Sequence, residues 1–116
     1  MKVIALALLL GVGMPAAAHP PAAGRYDAQL CIALGAAAPS CGPAEAQVQR
    51  GNRVLVRVSD IEYRLKLKSS QAEVIMMHGT TQIDEFVANY EWTGPALEFV
   101  DADKRTRYEL RLGAAR

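Results

Sequence analysis

The chain has 116 residues, 51% of them from the hydrophobic set, with 13 Lys and Arg against 12 Asp and Glu. That length holds one domain. Two cysteines exclude a multi-bridge scaffold and a four-cysteine zinc site, and the near-neutral balance excludes a generically basic nucleic-acid binder.

Met1 and Lys2 make a short positive start, and residues 3–14 are apolar and rich in Leu and Ala. Pro15 breaks that run, and Ala16, Ala17 and Ala18 satisfy the small-x-small preference of signal peptidase. This pattern predicts a cleaved secretion signal over residues 1–18, leaving His19 as the new N-terminus and a loose tail over 19–24. The remaining chain would carry 12 basic and 12 acidic side chains. No later apolar run reaches the ~18–20 residues that cross a bilayer, and Cys31 comes too late to carry a lipid anchor. The expected compartment is therefore the bacterial periplasm or the exterior. In that oxidising space Cys31 and Cys41 are expected to form one structural disulfide. Their spacing is not the C-x-x-C of a redox pair.

From residue 25 onward the dominant signal is period-two alternation, the mark of half-buried strands. Over residues 25–34, Tyr26, Ala28, Leu30, Ile32 and Leu34 share one face and Cys31 lies on the other, so the bridge should sit outside the core. Residues 44–49 and 53–58 form the next two strands. A three-residue loop, Arg50-Gly51-Asn52, pairs Val48 with Val54 and Ala46 with Val56, whereas a two-residue loop would mix polar and apolar side chains on one face. Asn52 tolerates the left-handed conformation that such a loop wants third. Ile61, Tyr63, Leu65 and Leu67 alternate with Glu62, Arg64, Lys66 and Lys68. A tight Ser59-Asp60 turn sets Val58 against Ile61, and residues 71–78 then place Val74 against Leu65, Met76 against Tyr63 and Glu73 against Lys66.

Residues 81–92 carry two periods at once. Ile83, Phe86, Val87 and Tyr90 fall at helical spacing, and Thr81 with Asp84 resembles a capping box. Phe86, Ala88, Tyr90 and Trp92 also alternate. The expectation is a strand from about Glu85, preceded by at most one helical turn, with Tyr90 opposite Phe99 in the following hairpin. Residues 105–112 close the chain, with Thr106, Tyr108, Leu110 and Leu112 inward and residues 113–116 as a tail. The fold class is all-β: an antiparallel meander of about eight strands over 25–112. A closed barrel is preferred over a two-sheet sandwich because closure removes exposed edges. Eight strands leave an interior that side chains such as Tyr63, Leu65, Val74, Met76, Tyr90, Phe99, Tyr108 and Leu110 can fill without a ligand cavity.

Little in the chain points to catalysis. His19 and His78 have no Ser-His-Asp or Cys-His grouping. The adjacent carboxylates Asp84 and Glu85 would point to opposite faces of a strand, and no glycine-rich phosphate loop leads from a strand into a helix. A non-enzymatic protein without a cofactor is expected. Copper is the alternative chemistry: a terminal His19 could chelate through its amine and ring, with Met76, Met77 and His78 as further ligands. His78 nevertheless falls on an inward rim position, and methionine in a barrel is usually core filler.

Charge is sorted along the chain. Residues 50–68 carry six positive and two negative side chains, residues 73–103 carry seven negative and no positive, and residues 104–116 carry five positive and one negative. The outward strand positions give a basic sector of Arg53, Arg57, Arg64 and Lys66, and an acidic sector of Glu85, Glu91 and Glu98, to which Asp84, just before the expected strand, is added. Ile75 and Met77 also face outward beside Arg64 and Glu62. In size and architecture the expected domain is similar to periplasmic lysozyme inhibitors, without that family's motifs, so the likeness brings no residues. The functional expectation is an exported binding module that recognises a protein or envelope component through charged outer strands and loops. The alternative is a metal carrier using His19 and His78.

Overall fold

The computed structural model describes residues 20–116. The expected signal over 1–18 and His19 lie outside them. Eight antiparallel strands follow one another in a meander: β1 (Gly24–Leu34), β2 (Ser40–Gln49), β3 (Arg53–Val58), β4 (Ile61–Leu67), β5 (Gln71–His78), β6 (Thr81–Thr93), β7 (Ala96–Asp101) and β8 (Thr106–Ala115). Each pairs with the next, and β8 pairs with β1 to close the barrel. In a meander the turns alternate between the two ends. One end, here the upper rim, carries the β1–β2, β3–β4, β5–β6 and β7–β8 connections. The lower rim carries the others and both ends of the described chain.

The hairpin registers follow from matching apolar faces. Val48 lies opposite Val54 and Ala46 opposite Val56, across a loop in which Gly51 and Asn52 both adopt left-handed backbone, with φ of 81° and 61°. Val58 faces Ile61, Tyr63 faces Met76, and Tyr90 faces Phe99. The interior is filled at its centre: Val54, Val56, Val74, Leu97, Phe99 and Leu110 are fully buried. Tyr108 stacks on Phe99 with ring centroids 4.7 Å apart. Most apolar side chains point in and most charged ones out, Asp84 and Asp101 at the upper rim excepted, the inverse of an outer-membrane barrel, whose apolar band faces lipid.

Four details depart from the sequence reading. β6 is a continuous strand from Thr81, with no helical turn. Asp84 pairs with Met76 and Gln82 with Met77, so Ile83 is the extra residue of a bulge, which is why two periods overlap there. β2 begins at Ser40, four residues earlier than expected, so the cysteines face each other directly across two strands. β8 runs on to Ala115 through a second irregularity, in which Tyr26 pairs with Ala115 and Ala28 with Leu112. Gly113 allows that approach, since a Cβ there would stand 3.2 Å from the carbonyl oxygen of Asp27. Finally, Leu34 is 64% exposed, because β1 ends at the rim before its last inward position reaches the core.

Candidate functional site: two charged walls and the barrel rims

The disulfide Cys31–Cys41 joins β1 to β2 on the outside of the barrel, with Cα atoms 4.0 Å apart. Cys31 stands apart from the interior cluster, yet it is only 3% exposed. Pro39, Arg107 and Glu109 line a small hollow beside it. The bridge therefore fastens the first hairpin without occupying core volume.

On the outer face the acidic sector is a cross-strand row. Glu91 of β6 lies directly opposite Glu98 of β7, and Glu98 lies directly opposite Glu109 of β8. Like charges at facing positions are destabilising, by ~0.2–1 kcal/mol each. Glu109 is partly compensated by Arg111, whose Nη2 lies 2.9 Å from its Oε1. Glu91 and Glu98 have no cationic partner among the described residues. Glu109 escaped the sequence reading because it is the lone acid within a basic C-terminal stretch; counting the β7–β8 hairpin register outward from Phe99 and Tyr108 would have found it.

Two of the expected acidic residues do not belong to this row. Asp84 continues the inward parity of Phe86 and Ala88, so it sits at the upper rim and not on the wall. There it forms an ion pair with the Lys104 ammonium, which holds the Asp84 carboxyl below its ordinary range. Glu85 does face outward, but it pairs with Ile75, six residues along β6 from Glu91, or about 20 Å at strand spacing.

The basic sector occupies β3 and β4. Arg53 faces Lys66 directly, a like-charge pair of the opposite sign, and neither has a carboxylate partner among the described residues. Arg57 and Arg64 both engage Glu62, at 3.3 and 2.9 Å, and the Arg64 hydrogen bond above all lowers the Glu62 pKa. Glu73 stands opposite Lys66 in register but forms its ion pair diagonally, with Lys68 at 2.9 Å. Around a ring of eight strands, a row centred on β7 and a patch between β3 and β4 lie close to diametrically opposed.

The upper rim is closed by its own side chains. Asp101 is 2% exposed, and its Oδ1 accepts the Lys104 backbone N–H at 3.4 Å. Its Oδ2 is buried without a partner among the described residues. Burial, reinforced by Tyr63, Asp101 and Asp84, pushes the Tyr108 hydroxyl up to about 12. His78 is exposed at this rim, and its Nε2 lies 2.7 Å from Asp60 Oδ2. Among the described residues no group of three or more His, Cys, Asp or Glu is placed to hold a metal ion.

The lower rim is different. The interior fill expected from the sequence stops short of it, leaving an open cleft of about 580 Å³ between the β2–β3 and β4–β5 loops, Tyr90, Trp92 and the segment at Pro20 and Pro21.

Compared with known proteins, the chain matches no family model, no curated protein and no solved structure.

Proposed function

We propose that the protein is an exported, non-enzymatic binding module that recognises a protein or envelope component through its charged outer strands. The observation that carries this reading is the facing of like charges in register, Glu91 with Glu98 and Glu98 with Glu109. Such a row costs stability when the molecule is alone. A cationic surface laid across it would offset that cost and gain three charge-assisted contacts on adjacent strands. The Arg53–Lys66 pair on the opposite side adds polarity to the molecule, which would orient an approaching charged partner. The acidic row is the stronger candidate contact, since Arg57 and Arg64 on the basic side are already engaged by Glu62.

The test is capture from periplasmic and envelope extract on immobilised protein, comparing the unaltered chain with a Glu91→Lys, Glu98→Lys, Glu109→Lys triple variant. A basic component retained by the first, eluted by moderate salt and lost by the second supports the reading. The same components retained by both would sink it.

A further inference from the structure

The lower-rim cleft is independent of the acidic row, and its lining has a definite chemistry. Val48 and Val54 face each other across β2 and β3, Leu67 follows on β4, and Trp92 stands on β6. The cleft takes its apolar surface from Trp92 and from the exposed edges of Val48 and Leu67, with Val54 wholly buried beneath them. Tyr90 donates its hydroxyl to the carbonyl oxygen of Lys68, which fixes one wall. The opposite wall is the segment at Pro20 and Pro21, held in place by a 2.6 Å hydrogen bond from the Tyr26 hydroxyl to the carbonyl oxygen of Ala22.

Every charged residue lining the cleft is a cation: Arg50, Arg53 and Lys68. Lys68 is engaged by Glu73 at 2.9 Å. Arg50 and Arg53 have no carboxylate partner among the described residues. An apolar floor under an uncompensated cationic lip is complementary to a molecule with one apolar body and one negative head. A bare anion would leave the floor wet, and an apolar molecule would leave two guanidinium groups idle. The volume lies within the ~300–1,000 Å³ range of small-ligand sites, and barrel mouths are among their usual places.

We propose that this cleft binds a small amphiphilic anion, a single hydrocarbon chain with a carboxylate or similar head, its chain against Trp92 and the exposed edges of Val48 and Leu67 and its head at Arg50 and Arg53. Arg50 lies in the exposed β2–β3 turn, where it is free to close on the head.

The chain contains one tryptophan, and Trp92 lines the cleft, so its fluorescence reports occupancy directly. The experiment titrates the purified protein with laurate below its micellar concentration, with dodecyltrimethylammonium, which carries the same chain under the opposite charge, and with acetate. The expected result is a saturable change in Trp92 emission with laurate, at least tenfold weaker binding of the cationic amphiphile, and no response to acetate. An Arg50→Glu, Arg53→Glu variant should weaken laurate at least tenfold while keeping its far-UV strand signal. If that variant does not fold, Arg50→Gln in the exposed turn should weaken laurate severalfold in its place. A non-saturable response, equal binding of the two amphiphiles, a response to acetate alone, or unchanged laurate binding in the folded arginine variants would overturn the proposal.

Discussion

Glu91 and Glu98 face each other directly across β6 and β7 on the outer wall, and neither has a cationic partner among the described residues. With Glu109 they form an uninterrupted acidic row over three adjacent strands. Glu98 stands in the middle and meets a like charge on both sides. Glu98→Lys should therefore stabilise the barrel, by roughly 0.5–1 kcal/mol at low salt, and the gain should shrink as salt screens the exposed charges. Denaturant unfolding at two ionic strengths measures this. A loss of stability, or a gain indifferent to salt, would contradict the electrostatic account of the row.

The Cys31–Cys41 bridge links residues 10 apart in sequence at facing positions of one hairpin. The chain-entropy contribution of so short a loop is about 2–3 kcal/mol. Cys31→Ser with Cys41→Ser should lower the unfolding free energy by about that amount and leave the far-UV strand spectrum unchanged, because the bridge lies outside the interior cluster. Loss of the strand spectrum at room temperature would mean that the bridge is required to form the barrel and does more than brace it.

Phe99 is fully buried, faces Tyr90 across one hairpin and stacks on Tyr108 across the other. Truncation at the centre of a filled interior leaves a cavity that the closed sheet cannot collapse. Phe99→Ala is expected to cost about 3–5 kcal/mol, read from the shift of the denaturant midpoint. A cost below about 1 kcal/mol would show that the interior is loosely packed.

Tyr63 and Tyr108 have hydroxyl pKa values raised from 10.0, mainly by burial, that of Tyr108 to about 12. The neutral phenol is favoured in the folded state, so this contribution to stability is complete below pH 10 and is lost as pH rises from 10 through about 12. Denaturant stability should decline as pH rises through that window, and the Tyr108 phenolate absorbance should appear later than that of a free tyrosine. Tyr108→Phe should flatten that decline. Titration of both phenols in an intact barrel at pH 10 would contradict the burial described here.

The barrel was legible in the residues because the hairpins from β2 to β5 each have only one register that puts apolar faces together. Val48 with Val54, Val58 with Ile61 and Leu65 with Val74 are all cases where a slip of one residue would have exposed the core. Asp84 was misassigned for a local reason. Its capping-box pattern with Thr81 suggested a surface turn, but the bulge at Ile83 lets β6 continue, and strand parity carries Asp84 inward to Lys104. Glu109 and the mouth cleft were illegible for a global reason. A row across β6, β7 and β8 exists only once three registers are combined. An incompletely filled rim depends on where strands end, which alternation along the chain does not specify.

Recognition through the acidic row is tested most directly by partner capture on the immobilised protein against its Glu91→Lys, Glu98→Lys, Glu109→Lys variant, in low and moderate salt. The predicted result is a basic component of the periplasmic or envelope extract that binds the unaltered protein, elutes with salt and is absent from the variant, while both proteins give the same strand spectrum. Capture that is indifferent to salt and identical for the folded variant would contradict it.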